Sequence, residues 1–387
     1  MKTGFGQPVV AAVSAIDENR WGFHQFPALS RLPDGNILLM WADAADASET
    51  HGQPAPALVS SDQGRTWNPF TGQPAPRRPH FTISEIFDGE YLVMPSQPYF
   101  NVVTNRISLP DPVSVANVYG KRMCYRVDDL PATVHDYYRH IPAQRWSPST
   151  RQWQNDRVTY DLNGLLAWKR EGSDLLPRTF FERSLLKHGR ELLYADYRAQ
   201  YSLPDGRVTP KGGSHLMVSN DNGHTFLRRS TIAADLAGND LYGEPHLAPT
   251  SDGRLVCVIR KTDQVQKPMA ITWSSDNGQT WTPVHELFEF GVWPCIIRLE
   301  CGTMVLSYGR PGVHLRFDST GSGEHWSDPA TLIEGSHREV TRHSCGYTSL
   351  LPVSDHAFLI AYSDFNHLDA TGSRRKAILV QPVTVTP

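Results

Sequence analysis

The octapeptide SSDQGRTW at residues 60–67 indicates a repeated β structure, because it returns as SNDNGHTF at 219–226 and as SSDNGQTW at 274–281. Its chemistry is that of a hairpin turn: the aspartate can accept hydrogen bonds from backbone N–H groups of the loop, and the glycine two residues later can adopt a positive φ. Weaker copies stand at 147–153 (SPSTRQW) and at 317–326 (FDSTGSGEHW). We therefore interpret these aspartates as structural residues of turns, not as catalytic groups.

A second repeat, two apolar strands joined by a turn, lies upstream of the octapeptides. Six copies have their turns at Gly35, Gly89, Gly189, Gly253, Gly302 and His356. The step of 100 residues between the second and third turns indicates an insertion, placed roughly at 98–168, in which RVDDLPATVHDYYRH admits a short helix. Six small units that cannot bury both faces alone predict an all-β, six-bladed β-propeller, formed as a single domain by residues 1–387. The apolar strands near the two chain ends are expected to pair and complete the last blade.

Composition agrees with a turn-rich β protein and excludes several classes of function. The chain has 29 glycines and 29 prolines in 387 residues, and its formal charge of −3 does not provide the basic field that nucleic-acid binding requires. The five cysteines show no zinc-binding spacing, so neither a metal nor a cofactor is expected. No window has the apolar length of a membrane span, and the first 21 residues lack the core of a secretory signal. We expect a cytoplasmic protein, or a secreted or periplasmic one if a leader has been removed.

The octapeptides resemble Asp-box (BNR) repeats, and the whole chain resembles the sialidase (neuraminidase) superfamily of six-bladed β-propellers. Three segments carry the resemblance in the order that the family has: GEPHLAPTSDGRLVCVIR at 243–260, SYGRPGVHLRFDSTGSGEHW at 307–326 and GYTSLLPVSDHAFLIAYSD at 346–364. The resemblance implies that Tyr347 is the nucleophile and that Glu244 takes its proton. It also implies that Arg260 and Arg310 bind the substrate.

The chemistry proposed for Tyr347, Glu244 and the two arginines can also be argued from the residue types, without the family. A tyrosine phenol has a pKa of about 10 and is a poor nucleophile at neutral pH unless a carboxylate accepts its proton. A neutral nucleophile also avoids the repulsion that a carboxylate would meet from an anionic sugar, which is why sialidases depart from the rule of two carboxylates. Arginines supply planar forks for a carboxylate.

The first blade departs from the family pattern. Sialidases begin it with the first of three carboxylate-binding arginines, and this chain has Gln25 there, in the run from His24 to Pro27. Both Gln25 and His24 are candidate substrate-binding residues. Since glutamine has no charge, the replacement favours a sugar other than sialic acid.

The general acid is expected on the loop after the first hairpin, WADAADASETHGQPAPALVSS. Counting back from the octapeptide favours Glu49, whereas the residue type used by the family favours Asp46. Asp43 is the weakest candidate, and the alternatives stay open from the sequence alone.

The main hypothesis is a sialidase-like exo-glycoside hydrolase that removes a terminal, anionic sugar from a glycan by a retaining mechanism. His246 and His343 stand near the openings of inner strands and are further candidates for substrate binding. Histidine, tyrosine and arginine together also admit a polysaccharide lyase that acts on uronates, and the lost arginine admits a non-catalytic glycan-binding propeller. The oligomeric state and the sugar stay open.

Overall fold

The computed structural model describes residues 1–261 and 266–386. In these residues nearly all regular structure is β, and the strands form antiparallel sheets that follow one another along the chain. Two short strands, β1 (Lys2–Phe5) and β2 (Val9–Val13), precede the first sheet. Among the described residues no helix has the length and apolar character needed to cross a membrane.

Six units of this β structure each have three or four antiparallel strands of the main sheets. The first unit contains β3 (Phe23–Arg31), β4 (Ile37–Asp43), β5 (Ala57–Ser60) and β6 (Asn68–Pro69). The second contains β7 (Ser84–Glu85), β8 (Tyr91–Val93), β12 (His140–Ser147) and β13 (Gln152–Tyr160). The third contains β16 (Leu186–His188), β17 (Glu191–Asp196), β19 (Gly213–Ser219) and β20 (Thr225–Ala234). One parallel pairing between β13 and β20 joins the second and third units.

The remaining units have the same build. The fourth contains β21 (Tyr242–Pro249), β22 (Leu255–Lys261), β23 (Met269–Ser274) and β24 (His285–Leu287). The fifth contains β25 (Val292–Arg298), β26 (Met304–Gly309), β27 (Val313–Asp318) and β28 (Ala330–Ile333). The sixth contains β29 (Thr348–Ser354), β30 (Ala357–Leu368) and β31 (Arg374–Thr386). Both β1 and β2 pair with β31, which confirms the predicted pairing of the two chain ends.

The first strands of neighbouring units are linked by side chains. The backbone N–H of Leu29 donates to Ser349 Oγ at 3.0 Å, and that of Ile83 donates to Ser30 Oγ at 3.0 Å. The N–H of Leu185 donates to Ser84 Oγ at 2.9 Å in the same way. Because each bond joins one unit to the next, the first strands converge on a common centre. This convergence brings together residues that lie far apart in the sequence.

The octapeptide turns are built from side-chain hydrogen bonds. In the first of them, Asp62 Oδ1 accepts from the backbone N–H groups of Arg65 at 3.1 Å and Thr66 at 2.8 Å. Gly64 has φ +84°, and a Cβ there would lie 2.8 Å from the side chain of Leu359 in the sixth unit. Trp67 packs against the apolar cluster between the first and sixth units. The turn thus fixes the edge of one sheet against its neighbour.

The extra chain is distributed differently from the predicted insertion at 98–168. Strands β12 and β13 lie within that range, yet β12 pairs with β8 and belongs to the second unit. The added segments are instead residues 94–139, 161–185 and 197–212. The spacing of turns counts all residues between two hairpins, so it could not locate the added chain within a unit.

These added segments fold together. They hold the short strands β9 (Phe100–Asn101) and β15 (Leu175–Leu176), the helix α1 (Ala132–Arg139) and a one-turn 3₁₀ helix at Val127–Asp129. Two further 3₁₀ turns, Ser48–Thr50 and Phe87–Gly89, lie in loops outside these segments. They also form one separate four-stranded sheet from β10 (Ser114–Asn117), β11 (Lys121–Arg126), β14 (Leu165–Arg170) and β18 (Gln200–Tyr201). We call it the accessory sheet. The helix α1 lies inside the segment for which the sequence admits one.

Candidate active site

A cavity of about 460 Å³ lies where the first strands of the units begin. Phe26, Glu244 and Trp293 line it from three different units. Each of them precedes a proline, has a positive φ (+53°, +52° and +50°) and stands at a register shift of its sheet. Bulges of this kind redirect a side chain, and a positive φ at a residue other than glycine is a strained conformation. The same backbone geometry, a positive φ at a bulge before a proline, therefore directs all three side chains into one cavity.

Tyr347, Glu244 and Arg260 are in mutual contact at this cavity. The Tyr347 hydroxyl donates a hydrogen bond to Glu244 Oε1. Arg260 Nη1 donates to the same Oε1 at 2.7 Å and lies 3.4 Å from the Tyr347 hydroxyl oxygen. Glu244 Oε2 accepts from the backbone N–H of Trp293 at 2.8 Å. Both carboxylate oxygens are thus held in place, one of them by the phenol and the guanidinium together.

Burial and charge set the protonation of this pair. Burial raises the pKa of Glu244, but the positive charge of Arg260 and the hydrogen bonds from Tyr347 and Trp293 outweigh it and bring the pKa below its usual value. The pKa of Tyr347 lies well above its usual value, because the phenol is buried and faces the negative charge of Glu244. At neutral pH the pair is a neutral phenol bonded to a carboxylate.

Aromatic rings hold Tyr347 in position. Its ring is stacked on that of Trp293, with centroids 4.5 Å apart and an interplanar angle of 11°. His80 stacks on Trp293 from the second unit at 4.3 Å. Burial, with nearby arginine charges, brings the pKa of His80 well below its usual value, so this ring is neutral. Arg183 lies over the Trp293 ring, 3.7 Å from its centroid.

Arg310 forms a second side of the cavity. Its Nε and Nη2 donate to the backbone carbonyl of Cys345 at 3.3 and 3.0 Å. The guanidinium lies 5.3 Å from the centroid of the Tyr347 ring and 5.2 Å from that of Trp21. Arg310 is therefore anchored to the segment that carries Tyr347 while it faces the cavity.

Arg260 is held by protein groups on both of its terminal nitrogens. Nη1 bonds to Glu244, and Nη2 donates to the hydroxyl of Tyr119 at 3.1 Å. Arg260 thus lies in the cavity wall with its fork pointing at Glu244 and Tyr119. Its first effect is to hold Glu244 in the charged form.

The structure separates the candidate acids. Asp46 lines the cavity, and its Oδ2 accepts a hydrogen bond from Trp21 Nε1 at 3.0 Å. Glu49 lies in the exposed 3₁₀ turn and does not line the cavity. Asp43 pairs with Nδ1 of His24 at 2.9 Å, and this hydrogen bond lowers the pKa of Asp43 despite partial burial. Only Asp46 of these carboxylates faces the site.

Gln25 is turned away from the cavity. Its side chain is fully buried, and both amide atoms lack a hydrogen-bond partner among the described residues. The bulge directs the next residue, Phe26, into the cavity, where its ring lies 4.8 Å from that of Tyr347. The residue type at position 25 does not reveal this, because the bulge shifts which residue points inward.

The candidate histidines also lie outside this cavity. His24 is engaged by Asp43. His246 is buried beside a second cavity of about 150 Å³, where its Nδ1 accepts from the N–H of Ile296 at 2.9 Å, and burial lowers its pKa well below the usual value. His343 Nδ1 bonds to the carbonyl of Glu334 at 2.7 Å. These contacts support structural roles.

Several cavity residues lie outside both the repeats and the segments that resemble the sialidase family. Tyr119, Arg122, Trp168 and Arg170 reach it from the accessory sheet or its turns. Arg198 lines it too and forms a buried ion pair with Glu182. His51 lines it with its Nδ1 3.1 Å from Ser96 Oγ. The accessory-sheet residues belong to no repeat, so the sequence held no signal for their position.

Arg78 is another buried residue near this region. It is 1% exposed, and none of its three guanidinium nitrogens has a hydrogen-bond partner within the part of the chain that the structure describes. It directly precedes Pro79 and His80, which line the cavity. Among the described residues, no group of three His, Cys, Asp or Glu side chains is arranged to hold a metal ion.

The chain matches no protein-family model and no curated protein in sequence. Solved structures match it over nearly its full length. A protein of unknown function from Dyadobacter fermentans is 15% identical with a TM-score of 0.61, and the match covers 99% of each chain. An α-L-arabinanase of Penicillium chrysogenum, solved with arabinobiose, is 15% identical with a TM-score of 0.57 over 97% of this chain and 98% of that one.

A sialidase is also among the similar structures. The Hadza microbial sialidase Hz136 is 15% identical with a TM-score of 0.54, and the match covers 96% of this chain and 68% of that one. At this identity the likeness establishes the fold. The chain has the β-propeller fold that sialidases and arabinanases share, as the resemblance of its repeats predicted.

Proposed function

We propose that the protein is a sialidase-like exo-glycoside hydrolase that releases a terminal sugar with retention of anomeric configuration. The observation that carries this proposal is the hydrogen bond from Tyr347 to Glu244 at the cavity, with Arg260 bonded to the same carboxylate oxygen. A buried phenol bonded to a buried carboxylate is the arrangement that an activated tyrosine nucleophile needs.

We further propose that the six antiparallel units are six blades and that the octapeptide turns are Asp boxes.

In the first step, Tyr347 Oη attacks the anomeric carbon while its proton passes to Glu244 Oε1. Asp46 donates a proton to the glycosidic oxygen, so the bond to the leaving alcohol breaks as the bond to tyrosine forms. In the second step, Asp46 takes a proton from water, which displaces the sugar from Tyr347, and Glu244 returns the proton to the phenolate. Atoms and charges balance over the two steps, and two inversions give net retention.

The cavity supports a sugar with an acidic group. Arg260 and Arg310 place positive charge beside Tyr347, and arginine is well suited to bind carboxylates. The first arginine of the sialidase set is absent, because Gln25 stands at its place in the sequence, and the neighbouring Phe26 points into the cavity instead. We therefore place the substrate among acidic terminal sugars other than sialic acid. The similarity to an arabinanase solved with arabinobiose adds pentofuranosides to the panel to be tested.

The test is a panel of aryl glycosides of uronic acids, sialic acid and arabinofuranose, followed by proton NMR of the first sugar released. We expect release with retention by the wild type and a loss of about a thousandfold or more with Tyr347→Phe. Tyr362→Phe is the matched control, because its hydroxyl bonds to buried Gln381 in the sixth unit. Full turnover by Tyr347→Phe, an inverted product, or an unsaturated product that absorbs in the ultraviolet would each reject the proposal, and the last would indicate a lyase.

A further inference from the structure

The accessory sheet carries two arginines that face the cavity side by side. Arg122 on β11 is directly opposite Arg170 on β14 in the antiparallel register, and both line the cavity. Like charges directly opposite each other destabilise an antiparallel pair. Neither arginine has an acidic partner among the described residues. The pair therefore concentrates positive charge that the protein itself does not neutralise.

Arg122 is the more constrained of the two. It is 6% exposed, and its guanidinium lies 4.2 Å from the centroid of the Trp168 ring. Nη1 donates to the carbonyl of Lys211 at 3.4 Å, and the Cys124 thiol, a weak acceptor, lies against the guanidinium. Nε and Nη2 are buried and have no oxygen or nitrogen acceptor in the described part of the chain. A buried charge without a partner is costly to maintain. Such a group is explained if an anion binds to it from the cavity.

The surroundings of the pair identify the kind of anion. Trp168 lines the cavity beside the arginines, and its Nε1 donates to the carbonyl of Arg198 at 3.3 Å, which fixes the indole. Tyr119, at the turn before β11, bonds to Arg260 and so joins this wall to the reacting groups. An aromatic ring next to arginine forks suits a sugar that carries a carboxylate or sulfate.

We propose that Arg122 and Arg170 form an anion subsite for a carboxylate or sulfate group of the glycan that the cavity binds. The inference rests on the proposed function for the nature of the ligand, but not for the existence of the subsite. It assigns substrate selection to the accessory sheet, in addition to the arginines beside Tyr347. An enzyme with this subsite prefers acidic glycans over neutral ones of the same size.

The experiment measures binding of three related sugars, glucuronate, glucose 6-sulfate and glucose, by saturation-transfer NMR on the full chain. We expect glucose to bind about tenfold more weakly than the better acidic sugar, since a charged hydrogen bond contributes at least that much. Tighter binding of glucuronate would indicate a uronate substrate, and tighter binding of glucose 6-sulfate would indicate a sulfated one. Arg170→Gln should weaken the acidic sugar about tenfold and leave glucose unchanged. Equal binding of all three sugars, or no binding of either acid, would overturn the subsite.

Arg374→Gln is the matched control, because it removes the same charge from an exposed strand end on β31. If Arg170→Gln and Arg374→Gln behave alike, the inference is wrong. Arg170 is exposed, so its replacement does not depend on refolding a core. Failure of the proposed function is distinguishable: acid binding that needs Arg170 without any hydrolysis keeps the subsite and rejects the hydrolase. Conversely, hydrolysis with a KM that Arg170→Gln does not change keeps the hydrolase and rejects the subsite.

Discussion

The hydroxyl of Tyr347 donates a hydrogen bond to Oε1 of Glu244, although 103 residues separate the two in the sequence. Glu244 opens the first strand of the fourth unit, and Tyr347 precedes the first strand of the sixth. The convergence of first strands makes this contact, and the backbone bulge at Glu244 aims its carboxylate at the cavity.

Glu244→Gln should reduce the free energy of unfolding by about 3 kcal/mol, because it leaves the buried charge of Arg260 without its anionic partner. Glu286→Gln is the control, since the Glu286 side chain is exposed and Lys261 keeps its second partner Asp240, so the loss should be less than about 1 kcal/mol. Urea denaturation of both variants and the wild type gives the comparison. Equal losses in the two variants would show that the Glu244 pair has no special stabilising effect.

The stability that Glu244 contributes should depend on pH in the acid range. Its folded-state pKa is below the ordinary glutamate value of 4.5, so the contribution is fully present above that value and is lost as the pH falls through the folded pKa. Denaturation midpoints of wild type and Glu244→Gln should therefore differ most near neutrality and converge below the ordinary glutamate pKa. A difference that grows on acidification would contradict the lowered pKa.

Asp46→Asn should lower turnover of glycosides with alkyl leaving groups by about a hundredfold or more, the usual contribution of a general acid. Aryl glycosides, whose leaving groups need little protonation, should lose much less. Glu49→Gln, three residues further along the same loop in an exposed turn, is the control and should change neither rate appreciably. Steady-state kinetics on the two substrate types decides between the carboxylates, and a greater loss in Glu49→Gln would reverse the assignment.

Tyr119→Phe should raise KM about fivefold with little change in kcat, because it removes the hydroxyl that accepts from Arg260 Nη2 in the cavity wall but leaves Tyr347 and Glu244 intact. Tyr201→Phe is a matched control on the accessory sheet, where the hydroxyl bonds to the carbonyl of Asp161. It should affect stability and not KM. A fall in kcat for Tyr119→Phe would instead place Tyr119 among the reacting groups.

Some features of the site could be predicted from the sequence, whereas others depend on strand register and on packing between distant segments. Glu244, Arg260, Arg310 and Tyr347 stand in segments with a recognisable order, and all four line one cavity. Gln25 was expected to face the substrate because it replaces an arginine, but the bulge before Pro27 buries it. A one-residue shift of register changes which side chain points inward, and the residue types alone do not reveal it.

Local sequence encodes the repeating β architecture, since the hairpin turns and octapeptides depend on local glycines, aspartates and apolar alternation. It also determined the pairing of the chain ends, which needs only two apolar strands without other partners. Tertiary structure alone decided which carboxylate faces the cavity and how Arg122 and Arg170 come to lie opposite each other. Those contacts join segments with no common repeat, so their geometry depends on packing between distant elements, which local sequence does not encode.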